Sequence, residues 1–360
     1  MSAPRETFLS LLRLALDPAS RSGNEGLCQD LYGRSAAEWA DLLALSREQA
    51  VTGLVGEALS LLTERGPGIP DSISTEFMLE MDRTERNARK VRKLSVNLLG
   101  ALKDAGLHPV LMKGPAVARY YPAPDLRTPG DIDLYIPRSE WQEALSSIIP
   151  TLISRPSVKG AGPLTKAPDG SAHYLIDGID IDLHPKYFDL VPERKERVLP
   201  PVPSHEAELL MLSLHILKHA MGPGIGIRQV CDYAMAWRAL EGGFDSDALT
   251  DCHRSLGTLR WHHLLHDFVS RHFSCHSELP SCHSERSEES AALETIIFSG
   301  GNFSHHAASR SKALAGASFF RKFDTLKRYL HRAPFALKYA PKPYCAYIRT
   351  LATGNISRQL

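Results

Sequence analysis

Two short runs alternate aspartate with aliphatic residues: Asp-Ile-Asp-Leu-Tyr-Ile at 131–136 and Ile-Asp-Ile-Asp-Leu-His at 179–184. Successive strand side chains point to opposite faces. Ile132, Leu134 and Ile136 therefore share one face, and Asp131, Asp133 and Tyr135 the other. In the second run Ile179, Ile181 and Leu183 pack inward, while Asp180, Asp182 and His184 point away. Two carboxylates one strand repeat apart stand roughly 6–7 Å from each other. At an effective dielectric of about 20 they repel by about 2–3 kcal/mol. A divalent cation between Asp131 and Asp133 turns that cost into a binding site, and Mg2+ favours such oxygen ligands.

The first run closes a longer stretch, LMKGPAVARYYPAPDLRTPGDIDLYI at 111–136. It reads as a strand over 109–112, a Lys113-Gly114 turn, a helix over 115–121, a proline-rich loop with Arg127, and a second strand. Beyond it the pattern predicts a helix over 139–148, a strand over 151–154 and a loop through 160–170. Asp177-Gly178 between two apolar runs marks a two-residue hairpin turn. On either side the chain reads as helix. Phe8, Leu11 and Leu12, then Trp39, Leu42, Leu43, Leu54 and Val55, fall near helical spacing. A long helix spans about Ser72 to Ala105 and stops at Gly106. Its basic 83–93 segment reads as a solvated face, with a phosphate-facing surface as the alternative. Helices return over 205–240, broken at 222–226, and a further one spans 247–273.

Residues 274–290, SCHSELPSCHSERSEES, break every pattern and repeat Cys-His-Ser-Glu at 275–278 and 282–285. Poor in apolar residues, they are expected to be disordered, with irregular chain up to Gly301. Cys275, His276, Cys282 and His283 can be drawn as a zinc site, but a tandem repeat without surrounding fold signals argues against one. Helices are expected to resume near 311–330 and 344–351. The resulting division is a helical region 1–95, an α/β core 96–200, a helical domain 201–273, a low-complexity insert 274–310 and a basic helical tail 311–360.

Composition narrows the setting. A hydrophobic content of 43% and a charged content of 23% are ordinary for a globular protein. The net charge of +1 hides an asymmetry: from Arg310 onward eleven Lys/Arg face a single acid, Asp324. Such a tail reads as a solvated basic helix pair, or as a contact for nucleic acid or an anionic membrane surface. Six cysteines without scaffold spacing suggest reduced thiols. The first residues lack a secretion signal, and no stretch approaches the ~18 apolar residues that span a bilayer. The expectation is a cytoplasmic protein without an integral membrane segment.

The glycine turn opening a helix, the Asp-x-Asp strand and the later carboxylate strand resemble the nucleotidyltransferase superfamily typified by polymerase beta. More closely, Lys113-Gly114, Asp131-x-Asp133 and Asp182-Leu183-His184 resemble bacterial nucleotidyltransferase family proteins often associated with polysaccharide biosynthesis. The resemblance covers about Asn97 to Leu240. It implies an α+β fold: a small mixed nucleotidyltransferase-like sheet with flanking helices and helical N- and C-terminal extensions. The implied reaction moves a nucleoside monophosphate from an NTP to an acceptor hydroxyl or phosphate, with a sugar as one candidate acceptor. Asp131, Asp133 and Asp182 would hold two Mg2+ ions, or Mn2+, with Asp182 also the general base. Lys113 and Gly114 would serve the triphosphate. Arg127 would neutralise phosphate charge or pair with Asp125 or Asp131. His184 would bond Asp182, approach substrate or be structural. His215 and His219 would line an acceptor pocket or form a packed pair bonded to Asp232. A toxin-type, tRNA-directed or protein-directed transferase and a non-catalytic scaffold of the same fold are the rival readings.

Overall fold

The computed structural model describes residues 3–21, 25–62, 68–155, 158–167, 170–222, 224–273, 286–300, 327 and 329–353. Five strands form one sheet: β1 (Val110–Met112), β2 (Ile132–Tyr135), β3 (Thr165–Lys166), β4 (Ala172–Ile176) and β5 (Ile179–His184). Their order is β1-β2-β5-β4-β3, with β2 and β5 parallel and the other pairs antiparallel. The Asp-Gly turn fixes the register. Asp177 and Gly178 both take positive φ, 53° and 76°, the backbone that matches the twist of two joined strands. Ile176 therefore faces Ile179, and counting back places His173 opposite Asp182.

Alternation then separates the two faces of the sheet. Ile132, Leu134, Ile136, Ile181 and Leu183 are buried on one side. They pack on Val91, Leu98 and Leu102 of the long helix α5 (Asp71–Asp104) and on Leu145, Ile149 and Leu152. The aspartates are left on the other side.

The helices before the sheet are α1 (Ala3–Leu16), α2 (Glu25–Tyr32), α3 (Ala36–Glu48), α4 (Thr52–Leu61) and α5 (Asp71–Asp104). Ser35 and Glu38 form a capping box at the start of α3, satisfying two of its open N–H groups. Within the α/β part, α6 (Lys113–Ala118) links β1 to the proline-rich loop. After β2, α7 (Arg138–Glu143) runs through a π turn into α8 (Ile149–Ile153). After the sheet come α9 (His205–Ala220), α10 (Ile227–Leu240), α11 (Ser246–Leu256), α12 (Leu259–Phe273), α13 (Arg286–Gly300), α14 (Ala333–Tyr339) and α15 (Pro341–Thr353). The architecture is α+β, a small mixed sheet with flanking helices, as the sequence led us to expect.

A second core is wholly helical. Phe8, Trp39, Tyr233, Trp237, Trp261 and Phe268 lie buried in it. Helices from before and after the sheet share this one cluster, so the N-terminal helices do not stand apart from α9–α12. Helix α5, about 50 Å long at 1.5 Å per residue, belongs to both cores. Ile73 and Phe77 join the helical cluster, and Val91, Leu98 and Leu102 lie under the sheet. Its basic segment is a largely solvated face, as expected, with Arg83, Arg86, Arg89 and Arg92 all more than half exposed, and part of it also anchors neighbouring loops. Arg89 and Arg92 bind Asp125 of the proline-rich loop, and Lys90 meets the Asp177 turn at 3.1 Å.

Four local expectations are corrected. Residues 151–153 are helix, with Ser154 as its C-cap, not the strand expected over 151–154; an apolar run of that length fits either. Pro150 has no N–H to donate, and the chain enters that turn through a π turn in which Ile149 N–H reaches the Ala144 carbonyl. The single helix expected over 247–273 is two, because Gly257 takes the left-handed conformation (φ 77°) that ends a helix. Residues 286–300 are helical rather than irregular: Leu293, Ile296 and Ile297 share a face buried in the helical core. At the C-terminus, helix spans Pro341–Thr353 beyond the expected 344–351, and α14 precedes it. Residues 274–285, with the Cys275, His276, Cys282 and His283 set, lie outside the described residues. So does most of the helix expected over 311–330. Among the described residues no helix is long and apolar enough to cross a membrane.

The helical core buries His253, His262 and His266. His253 stacks on His262 with centroids 4.4 Å apart, and both are fully buried. Burial pushes His253 down to about 3, with repulsion from His263 adding to it, and drives His262 well below its ordinary 6.5. The folded chain thus stays neutral at these sites where the unfolded chain takes up protons. Stability should be fully present above about pH 6.5 and fall as pH drops toward 3, by about 1.4 kcal/mol per pH unit for each such histidine. Urea midpoints across pH 7 to 4.5 measure this, and His253→Gln should flatten the slope by about one proton.

Candidate active site

Parallel pairing of β2 with β5 brings Asp133 directly beside Asp182 and Leu134 beside Leu183. Asp131 stands just before β2 at the mouth of the same cleft. Asp180 precedes Asp182 on β5 and is exposed. The cleft, about 260 Å³, lies between the acidic face of the sheet and helices α9 and α10. It gathers Lys113, Gly114, Arg127, Asp131, Asp133, Asp182, His184, His215 and His219, the carboxylate, phosphate-binding and acceptor-pocket candidates read from the sequence.

Asp133 is the hub. Its Oδ1 receives Lys113 Nζ at 2.8 Å and His184 Nε2 at 2.7 Å. Burial alone would raise the Asp133 carboxyl, but the Lys113 charge and the His184 hydrogen bond hold it well below the ordinary range. Burial likewise disfavours the Lys113 ammonium. The carboxylates of Asp133, Asp189 and Asp131 outweigh that and raise its pKa. Lys113 takes φ 51° at the strand-to-helix junction, a left-handed backbone that costs a residue with a side chain roughly 1–2 kcal/mol. Asp131 retains solvent-exposed surface. Partial loss of water, then repulsion from Asp133 and Asp182, push its carboxyl up to about 6 against the pull of Lys113.

His184 bonds Asp133 rather than Asp182, the latter bond being one of its three expected roles; it sits diagonally across the β2–β5 ladder from Asp133. Asp182 instead engages His173 Nδ1 from β4, and His173 Nε2 meets Ser171 Oγ at 3.0 Å. Sequence reasoning missed both residues. The signal was present: a two-residue turn at 177–178 fixes 173 opposite 182.

Arg127 makes neither of its expected ion pairs. Its Nε and Nη2 grip both oxygens of Asp232 on α10, at 2.6 and 2.7 Å, with both side chains buried. Asp125 is held by Arg89 and Arg92 instead. Tyr121 donates to the same Asp232 at 2.7 Å. Arg127 and Arg228 each donate to the Thr128 carbonyl, at 3.1 and 3.0 Å. Burial and the neighbouring Arg127 push Arg228 down to about 10. Gly114 lies under the Arg127 guanidinium, where a Cβ would come within 3.3 Å of Nη1. Gly53 on α4 similarly leaves room for the Leu126 carbonyl oxygen, which an added Cβ would overlap. The loop leading to Asp131 is thus clamped by α4, α5 and α10.

His215 bonds Asp189 through Nδ1 at 3.0 Å, and Lys218 bonds the other oxygen at 2.8 Å. Asp232, the partner expected for the histidine pair, is already taken by Arg127 and Tyr121. His219 packs edge-on against His215, centroids 4.5 Å apart. Burial lowers the pKa of both histidines, so neutral imidazoles line this wall.

Asp133, Asp182 and His184 each offer a ligand atom within 4.8 Å of the others, a group able to hold a divalent metal ion. Hard carboxylate oxygens fit Mg2+, Ca2+ or Mn2+; an imidazole added as ligand favours transition metals.

The buried Arg127–Asp232 pair yields a prediction. Arg127→Met strands a buried carboxylate and should lower unfolding free energy by about 3–5 kcal/mol. A contact made only with substrate phosphate would leave melting unchanged, and thermal unfolding without ligand separates the two.

No curated protein and no solved structure matches the chain. The sequence model of a family described as uncharacterised nucleotidyltransferase matches residues 35–274, which takes in α3 through α12 and the whole acidic cleft. With most of its length so matched, and the paired aspartates of the matched region facing one cleft, the chain belongs to that nucleotidyltransferase family.

Proposed function

We propose that the chain moves a nucleoside monophosphate from an NTP to an acceptor hydroxyl or phosphate, releasing pyrophosphate. The observation that carries this reading is the register of the parallel ladder, which sets Asp133 beside Asp182 with Asp131 at the cleft mouth. Asp131, Asp133 and Asp182 would hold Mg2+ or Mn2+. When bound, these ions supply charge neutralisation at the phosphates.

The chain's own residues do the rest. Asp133 stays ionised because Lys113 and His184 stabilise its charge. Lys113 supplies a fixed positive charge beside the carboxylates, suited to a phosphate oxygen as a point charge. Asp182 takes the acceptor proton. The walls formed by α9 and α10 restrict water and orient the acceptor. Chemistry of this kind depends mainly on positioning and electrostatics, and a small charged cluster is enough for it. The cleft lining carries Lys113, Arg127, Lys218 and Arg228 against Asp131, Asp133, Asp182 and Asp232. That balance gains positive charge with each divalent ion, which suits a polyphosphate. The polysaccharide association of similar proteins directs the acceptor search to sugars and sugar phosphates. Residues 310–326 of the basic tail lie outside the described ones and add no observation for a macromolecular acceptor.

Calorimetric titration of the four NTPs with Mg2+ or Mn2+ tests the reading. Wild type should bind one or more of them. An Asp131→Asn/Asp133→Asn variant of verified fold should bind roughly 100-fold more weakly or worse, about 2.7 kcal/mol. No binding of any NTP, with candidate sugars present, would move the assignment to a non-catalytic protein of this fold.

A further inference from the structure

Asp182 has a supporting chain of its own. His173 Nδ1 meets its Oδ1, and Ser171 Oγ meets His173 Nε2 at 3.0 Å. Ser171 and His173 precede the hairpin turn, Asp182 follows it, and all three line the acidic cleft. We infer that His173, braced by Ser171, is a positioning residue that fixes the Asp182 carboxylate for metal and acceptor. The inference rests on the metal-dependent reading above and deepens it.

The geometry supports this in three steps. An ionised carboxylate only accepts hydrogen bonds, so Nδ1 carries the proton of this pair whatever the state of Nε2. With both ring nitrogens engaged, the imidazole has one orientation and cannot flip. Oδ1 of Asp182 is thereby committed to His173, and Oδ2 is the oxygen left for cleft chemistry. A carboxylate beside Asp131 and Asp133 is repelled by both, and unheld it would rotate away from them. His173 supplies the restraint. Asp133 is served in the same way by His184, so each aspartate of the ladder has its own histidine.

The order Ser-His-Asp also describes an acyl-transfer triad. Ser171, however, is only 4% exposed. Its hydroxyl, on the residue before β4, is nearly closed off from solvent and turned to His173, and a nucleophile must reach substrate.

The test uses the full chain and Mn2+ alone as probe. An Asn amide places its N–H where Nδ1–H stands, whereas a Gln amide reaches the position of Nε2. His173→Gln should therefore weaken Mn2+ binding by about 10–100-fold, the usual cost of losing an outer partner of a metal ligand. His173→Asn should keep most of the affinity, and Ser171→Ala should fall between. The metal-free melting temperature of Asn and Gln variants should agree, so a merely structural role would not separate them. Equal Mn2+ affinity in wild type and His173→Gln would overturn the inference while leaving the metal reading standing. Equal losses in the Asn and Gln variants would also overturn it. Wild type that binds no Mn2+ would overturn the metal reading and this inference together. Covalent labelling of Ser171 by a fluorophosphonate would overturn it differently, by making the serine a nucleophile.

Discussion

Asp133 and Asp182 sit side by side on adjacent strands with Asp131 close by, an arrangement of like charges that opposes folding. The molecule offsets it by giving the inner carboxylates dedicated donors. Lys113 and His184 serve Asp133, and His173 serves Asp182. Asp131, nearest the opening, keeps the least support, and its carboxyl is the one pushed up to about 6. The gradient of support from the buried residue to the mouth is what a cation entering from solvent would complete. Without those donors the acidic face of the sheet could not lie under α9 and α10.

Holding such a cluster in place requires rigid surroundings, and the two cores supply them. The sheet is too small to bury much by itself. Its apolar face needs α5, α7 and α8, and its acidic face needs the helical cluster for a wall. Helix α5 connects the cores as a single 34-residue element. The buried Arg127–Asp232 pair ties the proline-rich loop to α10 at the point where Asp131 emerges. Truncating one member of such a pair is costly because the other stays buried and charged, so the loop is not free to drift.

Strand periodicity made the acidic face legible, since alternation alone assigns Asp131, Asp133 and Asp182 to one side. The Asp177-Gly178 turn made the hairpin legible, and carried further it would have placed His173 against Asp182. Other features depend on residues far apart in the chain. Nothing near Arg127 announces Asp232, 105 positions later. Nothing near Gly53 announces the Leu126 carbonyl. The helix at 286–300 was obscured by the polar repeat before it, although Leu293, Ile296 and Ile297 have helical spacing. The run at 151–154 was ambiguous for a physical reason: so short an apolar run cannot distinguish a buried strand from a buried helical turn.

Lysine and arginine divide the cationic work of the cleft according to their chemistry. Arginine's planar fork matches a carboxylate with two parallel bonds, and Arg127 spends it on Asp232, where permanent geometry is needed. Lysine is a point charge on a flexible stem. Lys113 makes a single contact to Asp133 from a backbone held in the left-handed region. On the proposed reading, a divalent ion that took over the charge of Asp133 would free the Lys113 ammonium for a phosphate oxygen. The motif Lys113-Gly114 then has two separate tasks. Its lysine holds positive charge beside Asp133, and its glycine makes room for the arginine that grips Asp232.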